Sequence, residues 1–152
     1  MADLPLRAKD PLTGHRFRVE FQSLVVAGFS ECSGLHLETE TFEYREGGRN
    51  GYKHRFCGPA HQPPLVLKRG LSLDPSLWLW YQDVVALRGF ARRSGSIILL
   101  DSSGAEALRW NFEGAYPIKW NGPDFRAESA AVAFESIEFA HRGFVLRPPL
   151  SA

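Results

Sequence analysis

Residues Leu35–Leu71, LHLETETFEYREGGRNGYKHRFCGPAHQPPLVLKRGL, decide how this chain is read. Two strand-like runs, LHLETETFEYR and LVLKRGL, flank a polar, glycine-punctuated excursion, EGGRNGYKHRFCGPAHQPP. An excursion of that length without periodicity is uncommon inside a compact domain and is usually functional or disordered. Its make-up points to function. Tyr44, Tyr52 and Phe56 interleave with Arg45, Arg49, Lys53, His54 and Arg55, whereas disordered tracts are poor in aromatics. Tyr, Phe and Arg are also enriched where proteins meet. The expectation is a long projecting hairpin loop, residues 45–64, that finishes folding against a neighbouring chain. Glu38, Glu40 and Glu43 on the first run and Lys68 and Arg69 on the second would lie cross-strand if the two runs pair antiparallel. Such pairs are worth about 0.2–1 kcal/mol each and orient a hairpin more than they stabilise it.

Upstream, DPLTG at Asp10–Gly14 reads as a turn. In Arg16–Leu24, Phe17, Val19 and Phe21 alternate with Arg18, Glu20 and Gln22, the period of a strand with one wet face. Val25–Phe29 is expected to prolong it, with a bend over Ser30–Gly34. Downstream, the pattern predicts a helix over Pro75–Leu87. Asp74 is a good N-cap, Pro75 loses nothing at the first helical position, and Gly89 supplies a stop. Leu77, Trp80, Tyr81, Val84 and Leu87 form one apolar stripe. Trp78, Leu79 and Val85 lie off it, which is more apolar surface than a lone amphipathic helix needs.

Hairpins follow. Ser96–Leu100 is a short apolar strand, Asp101–Gly104 a turn, and Ala107–Phe112 carries Leu108, Trp110 and Phe112 on its inward face. Pro117 makes AYPIKW an edge or a bulge. In Ala130–His141 the apolar parity shifts between Phe134 and Ile137, which predicts a β-bulge near Glu135–Ser136. The segment from residue 142 to 152 is too Pro-rich to continue as a strand and is read as a tail whose Phe144, Val145 and Leu146 dock on a neighbour. The sum is a mainly β fold, a small antiparallel barrel or sandwich of about seven strands with one capping α-helix. One domain spans residues 1–152, with residues 1–14 as an N-terminal arm and no internal repeat.

Composition excludes several classes. Of 152 residues, 18 are Lys or Arg and 17 Asp or Glu, a formal net charge of +1. That gives no global attraction to nucleic acid or anionic membrane. The basic and aromatic RNGYKHRF resembles single-strand binders, but the acidic run beside it argues against that use. No run reaches the ~20 apolar residues of a membrane helix, and the N-terminus lacks the apolar core of a signal peptide. Synthesis in the cytoplasm without membrane insertion is the expectation. Cys32 and Cys57 make neither a disulfide framework nor a zinc motif, even with His54 and His61 near Cys57. His15, His36, His54, His61 and His141 are scattered. No metalloprotease helix, nucleophile elbow or phosphate loop is present, and the Glu38/Glu40 and Glu135/Glu138 pairs read as solvated strand faces. Neither an enzyme nor a cofactor or metal site is expected.

The segments GFSECSGLHLETETFEYREGGRNG, LVLKRGL, LWLWYQD, IILLDSSGAEALRWNFEGAYPIKWNGP and FESIEFAHRGF, in that order over roughly Asp10–Phe144, resemble the inner-tube proteins of contractile phage tails and of extracellular contractile injection systems. The resemblance implies a subunit that closes into homohexameric rings, stacked as a hollow conduit inside a sheath. The implied partners are identical copies, sheath protein, baseplate or spike proteins and a luminal cargo, within a phage-tail-like particle. It places subunit contacts at Tyr44, Arg45, Glu46, Gly47 and Gly48 (YREGG) and beside the arm's base at Lys68, Arg69 and Gly70. Physical reading adds Arg49, Tyr52, Phe56 and Trp78. The acidic Glu38–Glu46 and basic Arg45–Arg55 stretches would be complementary patches, giving register more than affinity. Two other readings stay open: a tube-initiating ring at the baseplate, and a monomeric ligand-binding barrel with a cavity lined by Phe17, Phe21, Trp110 and Phe112.

Overall fold

The computed structural model describes residues 12–22, 28–44, 47–48, 51, 54–87 and 92–147. The described chain is mainly β with one helix, in the order β1 (Phe17–Phe21), β2 (Phe29–Ser33), β3 (Glu38–Tyr44), β4 (His54–His61), β5 (Leu65–Gly70), α1 (Ser76–Val85), β6 (Arg93–Leu100), β7 (Glu106–Asn121), β8 (Phe134–Ala140) and β9 (Phe144–Arg147). Seven strands form one antiparallel sheet in the order β1-β6-β7-β8-β5-β2, with β9 also on β7. Strands β3 and β4 form a separate pair.

The long strand β7 organises the sheet. Trp110 in its first half is flanked by Ile97 of β6 and Leu146 of β9. Its second half, from Tyr116, pairs with β8. Strands β8 and β9 therefore run in succession along β7, joined by a turn at residues 141–143. The sheet curls over on itself, since Phe21 of β1 and Phe139 of β8, with two strands between them, bring their ring centroids to 5.1 Å. The Trp80 ring from α1 lies 5.2 Å from Phe21 and 5.0 Å from Phe139. Phe21 also meets Phe112 edge-on at 5.6 Å. Each such ring taken out of water contributes about 1.5–3 kcal/mol. Two of the rings named for a ligand cavity, Phe21 and Phe112, thus pack on each other in the core.

Helix α1 forms where the sequence places it, because Leu77 and Trp80 are spaced to enter the core together. Its first residue is Ser76, with Pro75 at the capping position. Asp74 still serves the helix end: Ser76 donates its backbone N–H at 3.0 Å and its hydroxyl at 2.9 Å to the Asp74 carboxylate. Those bonds hold the carboxyl below its ordinary range. Leu87, not a glycine, takes the left-handed conformation after the helix, at φ 55°; Gly89 lies outside the described residues.

Four sequence expectations are corrected. Ser30–Gly34 is not a bend, since Phe29–Ser33 is strand β2 on the edge of β5; the continuation at 23–27 lies outside the described residues. Strand β3 does not pair with β5 but with β4, because the middle of the excursion is itself a strand. Lys68 instead lies over the Phe134 ring at 5.1 Å. No bulge interrupts β8 at Glu135–Ser136: its register with β5 runs unbroken from Leu65↔Phe139 to Gly70↔Phe134. Parity shifts because Glu135, a charged residue, occupies an inward position, while Val132 and Phe134 face out. The irregularity against β8 lies on β7, between Pro117 and Lys119. Finally, Phe144–Arg147 is not a free tail, because β9 covers the edge of β7 over Arg109–Phe112.

Candidate assembly surface

The β3–β4 pair is an arm, joined to no strand of the main sheet among the described residues. Register places Phe42 opposite Phe56, Glu43 opposite Arg55 and Tyr44 opposite His54. Side chains alternate along a strand, so Phe42, Tyr44, His54 and Phe56 share one face. Phe42, Tyr44 and Phe56 are 56%, 57% and 57% exposed. The register slips between Thr39 and Thr41, leaving one extra residue at Gly58–Pro59 of β4. Such a bulge adds twist. Gly58 is needed there, because a Cβ would stand 2.6 Å from the Phe42 ring. On the other face Glu43 and Arg55 approach to 3.8 Å across the hairpin. The acidic and basic stretches thus meet partly within one chain, where an exposed pair is worth little. A two-stranded hairpin alone is marginally stable in water.

The outer side of α1 is the second apolar surface. Trp78, Leu79 and Val85 are exposed, and Trp78 meets the Trp120 ring edge-on at 4.6 Å. Phe125 and Val132, on the segment between β7 and β8, are also exposed.

The expected contact residues divide three ways. Tyr44 and Phe56 lie together on the arm's aromatic face, and Gly47 and Gly48 in the exposed turn beyond β3. Arg45, Glu46, Arg49 and Tyr52 lie outside the described residues. Lys68 and Gly70 are half-buried at the end of β5, and Trp78 is exposed on α1. Arg69 is a correction. Its side chain is only 3% exposed, so it serves the interior. Its Nε donates to Glu135, which is 5% exposed, and its NH2 group donates to the Asp74 carbonyl at 2.9 Å. Trp120 Nε1–H donates to the second oxygen of Glu135 at 3.1 Å. One buried guanidinium therefore joins β5, β8, the start of α1 and, through Trp120, the exposed Trp78. Sequence reasoning missed Phe42, although it shares the parity of Tyr44, and missed Trp120; it read Glu135 as part of a solvated strand face, which is corrected, since Glu135 is buried against Arg69 and Trp120.

Burial pushes the Cys32 thiol up to about 11, which suppresses the reactive thiolate. Among the described residues no three His, Cys, Asp or Glu gather as a metal site would. No described helix is long and apolar enough to cross a membrane.

The described chain is mainly β, with an aromatic arm apart from the main sheet and a helix that exposes Trp78, Leu79 and Val85. Residues 13–145 match the sequence model of the T4-like virus tail tube protein gp19 family, and the chain belongs to that family. No curated protein sequence matches it significantly. Its structure is similar to a chain of the anti-feeding prophage (AFP) baseplate, solved by cryo-EM with six-fold symmetrisation. That pair is 25% identical, with 94% of this chain and 99% of the other covered, at a TM-score of 0.81. A chain of the PVC sheath-tube complex, an extracellular contractile injection system in its extended state, shares the fold at 23% identity, covering 92% and 93%, with a TM-score of 0.82. A chain of the PVC sheath/tube terminator does so at 23% identity, covering 91% and 98%, with a TM-score of 0.81.

Proposed function

We propose that this protein is a non-catalytic inner-tube subunit of a contractile injection particle, closing into six-membered rings that stack as a hollow conduit. The observation that carries this is the aromatic face of the arm. Phe42, Tyr44 and Phe56 stand side by side in water on a hairpin that the main sheet does not support, and an identical neighbour would cover them. Contacts made head to tail between identical copies close into a ring when the rotation allows it. The outer side of α1, with Trp78, is the complementary contact surface. The contact also takes in Arg45, Glu46, Arg49 and Tyr52, with Gly47, Gly48, Lys68 and Gly70. Sheath and baseplate proteins are the partners outside the tube and at its end, and a passenger macromolecule occupies its lumen. The subunit is made in the cytoplasm and built into a phage-tail-like particle.

Electron microscopy and light scattering of the purified chain test this. Rings and tubes are expected. A monodisperse 17.1 kDa monomer at high concentration would overturn it. The likeness to a baseplate chain at 25% identity favours a second reading, a tube-initiating ring, which gives single rings that do not elongate.

A further inference from the structure

Trp120, near the end of β7, is held on three sides. Its Nε1–H donates at 3.1 Å to one oxygen of Glu135, whose other oxygen takes the Arg69 Nε–H. Its ring meets Trp78 of α1 at a centroid distance of 4.6 Å and an interplanar angle of 63°. The far edge of its six-membered ring lies over Gly122, where an added Cβ would stand 2.8 Å from Cη2 and 3.0 Å from Cζ3. Arg69 reaches the same helix by a second route. It donates to the Asp74 carbonyl at 2.9 Å and to the Asp74 carboxylate at 3.4 Å, and Asp74 accepts from Ser76 in the first turn. The contacts close a circuit from Arg69 through Glu135, Trp120, Trp78 and Asp74. Both Glu135 oxygens are engaged in the interior, and parting that carboxylate from its cation is costly. It is therefore a fixed point to which the indole is tied.

We infer that Trp120 is a positioning residue for the assembly surface, an inference that rests on reading α1 as the face a neighbouring copy meets. Trp78 is 39% exposed, and a free ring at the surface loses rotamer freedom when a partner buries it. Trp120 removes that loss in advance, because it carries the fixed position of Glu135 outward to the Trp78 ring. Gly122 leaves the seat for it. That residue is exposed just past β7, and its φ lies outside the left-handed region. Its backbone therefore does not call for glycine; the Trp120 ring does. Alanine at 122 meets only the far end of a side chain, which can swing aside. The substitution displaces Trp120 while the Arg69–Glu135 pair stays in place.

The test is circular dichroism of the dilute, unassembled full chain, read beside its assembly. Two indoles in contact couple their transitions into an exciton couplet in the far ultraviolet, and its loss in Trp78→Ala identifies the Trp78–Trp120 pair. Gly122→Ala should shrink the couplet and leave thermal unfolding nearly unchanged. It should also raise the concentration at which rings form by about two- to tenfold, the worth of fixing one such side chain beforehand. An unchanged couplet in Gly122→Ala would overturn the positioning role. So would a melting temperature that falls in step with assembly, since Trp120 would then be structural only. If Trp78→Ala blocks assembly while Gly122→Ala shrinks the couplet and assembles normally, α1 remains the contact and the positioning role fails. If Trp78→Ala itself assembles normally, the reading of α1 as the contact face is what fails.

Discussion

Phe42 and Phe56 face each other directly across the arm, and both rings are more than half exposed. A cross-strand aromatic pair contributes about 0.2–1 kcal/mol to its own hairpin, far less than such rings release when a partner buries them. Replacing both with Ser should leave the main core intact, since neither belongs to it. Thermal unfolding should shift little, while rings and tubes disappear from electron micrographs. A double variant that still assembles would remove the arm from the interface.

The buried Arg69–Glu135 pair has the opposite character. Removing one partner leaves an uncompensated interior charge, which typically costs about 3–5 kcal/mol. Arg69→Met should therefore unfold at markedly lower denaturant. The double variant Arg69→Met/Glu135→Gln should recover part of the loss, since the Gln side chain is neutral and still accepts the Trp120 indole N–H. A double-mutant cycle in urea reads the coupling, expected at about 1–3 kcal/mol.

What the sequence disclosed and what it hid follow from how local each signal is. Phe17, Val19 and Phe21 alternate because one face of β1 meets the core, and Leu77 and Trp80 recur at helical spacing for the same reason. Strand β2, FSECS, was hidden because it lies on an edge with most of its residues exposed. Strand β4, HRFCGPAH, was hidden by Pro59 at its bulge and by near-complete exposure. The prolines after β9 masked a strand whose pairing depends on a residue run more than thirty positions earlier. Arg69 was misplaced as a contact because its partner, Glu135, is 66 residues away. A lone Glu in an apolar strand reads as a phase change until that guanidinium is seen beside it. The arm's aromatic character was visible from composition, but its common face required the register.

Leu87 holds a conformation that costs a non-glycine residue roughly 1–2 kcal/mol, and at 82% exposure it gains little packing in return. Leu87→Gly relieves that strain and gives back part through the greater freedom of the unfolded chain. The net should be a stabilisation of about 0.5–1 kcal/mol, seen as a rise of about 1–4 °C in thermal unfolding. A fall in melting temperature would show that the Leu87 side chain packs more productively than its exposure indicates. If the variant melts higher but assembles poorly, Leu87 belongs to the contact made by α1.

Gly34 closes the turn after β2 and lies against the chain that enters β5. A Cβ there would stand 2.2 Å from the Pro64 carbonyl oxygen and 3.1 Å from the Leu65 Cα, at φ 97°. Both obstacles are backbone, so no rotamer change relieves them. Gly28 makes a matched control, with φ 80° and no atom within 4 Å of its added Cβ. Alanine at either site meets the left-handed penalty of about 1–2 kcal/mol, but only Gly34→Ala must also push β2 away from the Pro64–Leu65 backbone. Gly34→Ala should therefore cost at least about 3 kcal/mol in equilibrium unfolding, and Gly28→Ala only about 1–2. Because the Pro64 side of that contact continues from the arm's root, a Gly34→Ala protein that folds at all should also show altered exchange in β4. Equal losses at the two sites would mean that the close approach at Gly34 does not exist in solution.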